Sequence, residues 1–123
     1  MRILLISAIL TFSTALSASP ISYICNYDSY SDEEGNHKVG KEFVLTFIVD
    51  SENKKAYIVG NQGSEEVAAI PHRIGGVSFV EVTGSGNVMS TVIDTAGNSV
   101  HSRNTSLGGK LVPSQYYGKC EIK

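Results

Sequence analysis

The sequence has few of the residues and spacings that identify an enzyme or a metalloprotein. Its 123 residues include two cysteines, three histidines and no tryptophan. No Cys-x-x-Cys or His-x-His spacing is present, which excludes the usual zinc patterns. The Gly-Ser-Gly at residues 84–86 lacks the strand and helix that flank a hydrolase nucleophile. We therefore predict no catalytic residue, no metal ligand and no cofactor.

Basic residues are also few. The chain has 10 lysines and arginines against 12 aspartates and glutamates, and the basic residues are scattered along it. A nucleic-acid-binding domain usually carries a basic patch or stripe that neutralises phosphates. The composition therefore argues against a nucleic-acid partner.

Long apolar segments are limited to the N-terminus. Arg2 precedes an apolar run over residues 3–12, and small residues lead from there to Pro20, which is the layout of a secretory signal peptide. The run is shorter than the about 20 apolar residues of a membrane-spanning helix. We predict a signal peptide over 1–18 and a single exported domain over 19–123, periplasmic or secreted, with no stable membrane insertion after signal removal. Removing Arg2 leaves 9 basic against 12 acidic residues, a net charge of −3.

The two cysteines stand near the two ends of the predicted mature chain. Export would place Cys25 and Cys120 in a compartment where disulfides persist. A single bridge between them is therefore predicted, and two free thiols are the alternative. In the chain-entropy account, closing a loop of about 95 residues destabilises the unfolded chain by roughly 4 to 5 kcal/mol. That is a large share of the about 5 to 15 kcal/mol by which small domains are stable.

No segment sustains the 3.6-residue apolar period of a helix, and short runs of β-branched and aromatic residues alternate with turn residues instead. Residues 43–50, FVLTFIVD, give the strongest strand pattern, whereas residues 28–40 are polar and acidic and are predicted to form a loop. We predict an all-β fold of about eight antiparallel strands in a meander, forming a small barrel or a strongly curled sheet. A two-sheet β-sandwich is the alternative. The strands are predicted at 21–27, 43–50, 55–60, 66–70, 77–83, 88–94, 99–105 and 111–122.

The most polar predicted strand carries the candidate binding site. Residues 101–105, HSRNT, place polar side chains on both strand faces, which fits an edge strand, a polar barrel interior or a binding surface. The guanidinium of Arg103 could hold a carboxylate or phosphate. Tyr116 and Tyr117 could supply a flat aromatic surface that a ligand contacts. The three histidines are expected to be scattered over the surface. The candidate binding residues are His101, Arg103, Thr105, Tyr116 and Tyr117.

Two resemblances to known families follow from short motifs. With VHSR at 100–103, LVPSQYYG at 111–118 and Cys120, the chain resembles a set of short exported proteobacterial proteins without an assigned activity. This resemblance runs from the FVLTFIVD segment to the C-terminus. It implies a periplasmic or secreted protein and nothing about mechanism.

The second resemblance is to the periplasmic inhibitors of c-type lysozyme. Those proteins are small eight-stranded barrels, and the early Tyr23-Ile24-Cys25 and the late Cys120 are similar to their outline. The inhibitory Ser-Gly-x-x-Tyr loop of that family is matched only at Ser85-Gly86, because Met89 stands where the tyrosine should be. Likeness of fold does not by itself imply likeness of function.

These observations favour a non-enzymatic binding module for an unidentified protein or small ligand. A lysozyme or protease inhibitor is the first alternative, and a small enzyme is the second. Whether the barrel interior is hollow or packed distinguishes these hypotheses. A hollow interior indicates a ligand carrier, whereas a fully packed interior would move function to the loops.

Overall fold

The fold is a closed, antiparallel eight-stranded barrel. A computed structural model describes residues 13, 18–60 and 63–123. The strands follow one another in chain order around the barrel, and the last strand pairs with the first. This confirms the predicted all-β meander and excludes the two-sheet sandwich. The strands are β1 (Ile21–Asp32), β2 (Gly35–Asp50), β3 (Lys55–Gly60), β4 (Gly63–Pro71), β5 (Val77–Val82), β6 (Val88–Ile93), β7 (Asn98–Leu107) and β8 (Lys110–Ile122).

The predicted disulfide is present and lies at the seam that closes the barrel. Cys25 on β1 is paired directly with Cys120 on β8, and the two residues are bonded through their sulfurs. Such a bond is compatible with an oxidising compartment. In the described part of the chain, no helix has the length and hydrophobicity needed to cross a membrane.

One end of the barrel interior is filled with apolar side chains. The rings of Phe47 and Phe79 stack with centroids 4.3 Å apart, and Tyr23 contacts Phe79 edge-on at 5.7 Å. Ile93 is 1 % exposed and belongs to the same cluster. The turn between β6 and β7 folds against this end, where Gly97 accepts a hydrogen bond from the backbone N–H of Cys120. We call this region the filled end.

The polar segment over residues 28–40 differs from its prediction as a loop. β1 runs on to Asp32 and β2 begins at Gly35, so most of the segment forms a hairpin. Its β1 arm also pairs with β8, and this tertiary partner stabilises a strand that local composition does not favour. The register shifts between Tyr27 and Ser29, and beyond this bulge Tyr30 faces inward and stacks on Tyr116 at 5.2 Å.

The predicted signal peptide lies almost wholly outside the described residues. Of residues 1–18, the structure describes only Ser13 and Ala18. The signal peptide and its removal therefore stay predictions.

Candidate functional site

The barrel interior becomes polar and open at the end opposite the filled end. Along β4 the inward face changes from Val67 to Glu65, and along β5 it changes from Phe79 to Glu81. A cavity of about 500 Å³ lies at this end, a size typical of small-ligand sites. We call it the mouth. It is lined by Phe43, Leu45, Ile58, Gly60, Gly63, Glu65, Glu81, Met89, His101 and Arg103.

Arg103 is held in the mouth by aromatic rings. Its guanidinium carbon lies 4.8 Å from the centre of the Phe43 ring and 4.9 Å from that of Tyr116. Both distances are within the range of cation–π attraction. Its Nε–H donates to Nε2 of His101 over 3.2 Å. Among the described residues the remaining N–H groups of Arg103 have no hydrogen-bond partner, so they are available to an anionic or carbonyl group that enters the mouth.

His101 is a buried, neutral support for Arg103. Because arginine is only a donor, Nε2 of His101 must accept, which leaves the ring proton on Nδ1. Nδ1 then donates to Thr91 Oγ1 over 2.7 Å. His101 is 2 % exposed, and burial together with the charge of Arg103 lowers its pKa to about 4. The prediction that all three histidines lie on the surface is therefore wrong for His101, because His101 is on the face of β7 that points into the closed barrel. The edge-strand explanation of residues 101–105 is also wrong, because β7 pairs with both β6 and β8.

A second pair of buried polar side chains, Tyr27 and Ser99, lies between His101 and the filled end. The hydroxyls of Tyr27 and Ser99 are 2.9 Å apart, and burial raises the pKa of Tyr27 to about 12. Gly118 lies between these residues in the sheet register. A Cβ at Gly118 would collide with the backbone carbonyl of Asn26, so a glycine here allows β1 and β8 to approach closely. These residues form a closely packed layer between the mouth and the filled end.

Two carboxylates lie across the mouth from Arg103. Burial, and secondarily the charge of Glu65, raises the pKa of Glu81, while Arg103 opposes the shift. In the register, Glu81 pairs with Met89 and Met89 pairs with Arg103. Two strand spacings, about 10 Å, therefore separate the backbones of Glu81 and Arg103. Within the described residues neither glutamate forms an ion pair with Arg103.

The sequence-predicted site residues divide between the two faces of the barrel wall. His101, Arg103 and Tyr116 come together at the mouth. Thr105 is half-buried further along β7 and does not line the cavity. Tyr117 faces outward, where its hydroxyl contacts Ser31 and Gln115.

Sequence reasoning missed the apolar wall of the mouth and both of its carboxylates. One signal was available, because Glu81 shares a strand face with the apolar Phe79. β4 and β5 run in opposite directions, so the start of β4 and the end of β5 lie at the same end of the barrel. A charged residue on the inward face at both positions, Glu65 and Glu81, predicts a polar opening there.

A larger groove and an exposed turn lie elsewhere on the molecule. The groove, of about 840 Å³, runs along the β3, β4 and β5 region and is lined by aliphatic side chains with exposed charged residues at its rim. The turn between β5 and β6 contains Ser85, whose hydroxyl contacts Thr83 and accepts a hydrogen bond from Asn87 Nδ2. Asp94 lies in the β6–β7 turn at the filled end, where it accepts hydrogen bonds from Asn98. None of these places brings an inward-facing charged side chain into an apolar cavity, as the mouth does.

No family model, curated protein or solved structure matches this chain. Both family resemblances therefore stay predictions. Within residues 18–60 and 63–123, no group of three or more His, Cys, Asp or Glu side chains is placed to hold a metal ion.

Proposed function

We propose that this protein is a non-enzymatic binding module that holds a small amphipathic molecule in the mouth of its barrel. The observation that carries the proposal is the combination, in one cavity, of an apolar wall with a cation that forms no ion pair among the described residues. Leu45, Ile58 and Met89 supply the wall and Arg103 supplies the cation. Small-ligand sites are typically apolar clefts with a few fixed polar groups that orient the ligand.

The support beneath Arg103 favours binding over catalysis. Both ring nitrogens of His101 are engaged, by Thr91 and by Arg103, so the ring has no free nitrogen to act as a base. The described lining of the mouth contains no hydroxyl or thiol nucleophile. The carboxylates Glu65 and Glu81 are the groups on which a small enzyme would depend, and an activity lost in both Glu65→Gln and Glu81→Gln would favour that alternative.

Filling the cavity tests the proposal directly. Gly60 lines the mouth, and no atom lies within 4 Å of the position its Cβ would take. Gly60→Leu should occupy the cavity and abolish the fluorescence increase of anilinonaphthalene sulfonate. Gly40→Leu is the matched control, because Gly40 is also an unobstructed strand glycine but lies outside the mouth. Equal dye binding by the wild type and both variants would reject the proposal.

Removing the cation is the second arm of this test. Arg103→Met keeps an extended apolar side chain but removes the charge. It should weaken binding of the anionic dye about ten-fold, since hydrogen bonds to charged groups contribute about 1.5 to 3 kcal/mol. Arg73→Met is the control, because Arg73 is exposed in the loop at the filled end. An equal loss in both variants would show that net charge alone governs dye binding.

Inhibition of lysozyme or of a protease stays the alternative, and the exposed β5–β6 turn is where it would act. The side chain of Met89, which stands where the inhibitor family has tyrosine, lines the mouth. Absence of inhibition both in a lysis assay with c-type lysozyme and in a proteolysis assay would remove this alternative. Inhibition that is lost when Ser85 is replaced would favour it over ligand binding.

We further infer that the protein acts in the periplasm or the medium. The disulfide supports an oxidising compartment, and the apolar N-terminal run supports export. N-terminal sequencing of protein recovered outside the cytoplasm should begin near residue 19. Recovery of the full-length chain from the cytoplasm alone would contradict this inference.

A further inference from the structure

The mouth contains charges of both signs that form no direct ion pair among the described residues. Arg103 is turned toward β2 and β8 by its contacts with Phe43, Tyr116 and His101. Glu81 lies two strands away, on the other side of Met89. Among the described residues, Glu81 and Glu65 accept no hydrogen bond and form no ion pair, so the carboxylates face the cavity and solvent.

Each charge would become unfavourable if a ligand covered it with an apolar surface. A buried group without a hydrogen-bond partner loses its hydration and gains nothing in return. An amphipathic anion would satisfy Arg103 but would place apolar atoms against Glu81. An amphipathic cation would interact favourably with Glu81 but would place apolar atoms against Arg103. A ligand with both charges would satisfy both walls of the cavity.

We propose that the ligand of the mouth is a small zwitterion with an apolar body, of the class of free amino acids and dipeptides with apolar side chains. Its carboxylate would accept hydrogen bonds from the free N–H groups of Arg103, and its ammonium would lie against Glu81 and Glu65. Its side chains would pack on Leu45 and Ile58. This inference rests on the proposed function, because it names the chemical class that the same cavity takes.

The electrostatics of the carboxylates agree with this assignment. Burial, and secondarily the charge of Glu65, raises the pKa of Glu81, although Arg103 partly opposes the shift. A cation placed between the two carboxylates would relieve their repulsion. The charge of Arg103 is fixed at any physiological pH. The mouth therefore offers a permanent cation on one side and an electrostatically crowded pair of carboxylates on the other.

Calorimetric titration with three related probes tests the inference. Leucyl-leucine carries both charges, N-acetyl-leucyl-leucine lacks the ammonium, and leucyl-leucine amide lacks the carboxylate. The free dipeptide should bind about ten-fold or more tightly than either blocked form, because each loses one charge-assisted contact. Arg103→Met should abolish the preference for the free carboxylate only. Glu81→Gln should abolish the preference for the free ammonium only.

The control for Glu81→Gln is Glu66→Gln, because Glu66 is an exposed neighbour of Glu65 that does not line the mouth. It should leave all three affinities unchanged. The comparison of the three probes on the wild type needs no variant, so it is informative even if a substitution prevents folding.

The outcomes distinguish this inference from the proposed function. Equal binding of the three probes, or binding of the dye without binding of the dipeptide, would overturn the zwitterion assignment and leave the mouth as a binding site. Binding of neither the dye nor any dipeptide form would overturn both proposals. A charge preference that Arg103→Met and Glu81→Gln leave intact would place the site elsewhere and would also overturn the assignment.

Discussion

The two ends of this barrel use the same strands for different purposes. At the filled end, β2 and β5 contribute the stacked pair Phe47 and Phe79, which closes the interior. At the mouth, the same two strands contribute Phe43 and Glu81, which line a cavity instead of stacking on each other. The comparison shows that a strand can stabilise the domain with one half of its inward face and line an open cavity with the other half.

From this comparison we expect the largest loss of stability when a side chain at the filled end is truncated. Phe47→Ala should lower the free energy of unfolding by about 3 to 5 kcal/mol, because it removes a ring that is 1 % exposed and leaves a cavity. Phe43→Ala should cost less, since Phe43 is only partly buried at the mouth. Urea unfolding of both variants is the measurement. An equal or larger loss at Phe43 would show that the mouth is part of the stabilising core.

Reduction of the disulfide should have the next largest effect. Removing a native bridge from a small domain usually costs about 2 to 5 kcal/mol, and here the bridge joins β1 and β8 at the barrel seam. The double replacement of Cys25 and Cys120 by Ala should lower Tm strongly. The β1–β8 amides should then exchange faster than those of β5. Unchanged stability in the double variant would mean that the strand pairing closes the barrel without the bridge.

Acidification should destabilise the protein through the support beneath the mouth. His101 has a pKa of about 4 in the folded state, below its ordinary value of 6.5. Between these values the unfolded chain binds the proton and the folded protein does not, so stability falls as the pH falls. The loss amounts to about 3 kcal/mol over the whole window. Below pH 4 this residue contributes no further change.

Urea unfolding at pH 7 and pH 4.5 checks this prediction. His101→Phe should be less stable than the wild type at pH 7, but its stability should change less between the two pH values. Glu81, whose pKa is raised, acts in the opposite direction in acid and is present in both proteins. A pH dependence as steep in His101→Phe as in the wild type would assign the acid sensitivity to other groups.

The smallest effect on stability is predicted for Arg103. Arg103→Met keeps most of the packing on Phe43 and Tyr116, so the loss should be about 1 kcal/mol, in line with cation–π contacts at partly exposed sites. The pKa of His101, followed by NMR, should rise because the neighbouring cation is removed. A loss as large as that of Phe47→Ala would make Arg103 a structural residue of the core.

The fold could largely be predicted from the sequence because strand alternation and turn composition are local signals. The eight strands and their order followed from these signals. The Cys25–Cys120 pair followed from the predicted export of a chain with only two cysteines. The β1–β2 hairpin over residues 28–40 could not, because its strand character comes from pairing with β8. Local composition does not encode that partner.

The candidate site was predicted only in part, for a similar reason. His101 and Arg103 were predicted as binding residues because they are polar residues in a predicted strand. The burial of His101 and the outward orientation of Tyr117 depend on closure of the barrel. Closure determines which face of each strand lies in the interior and which lies in solvent. The partnership of Arg103 with Phe43 joins residues on β7 and β2, a contact that no spacing along the chain reveals.

Methyl NMR during titration with anilinonaphthalene sulfonate tests the difference between the two ends most directly. If the mouth is the binding site, the methyl signals of Leu45, Ile58 and Met89 should shift with dye concentration. The signals of Val77 and Ile93 at the filled end should stay in place. Shifts confined to Val80 and Val82, which line the larger groove, or no shift at any methyl group, would contradict the account.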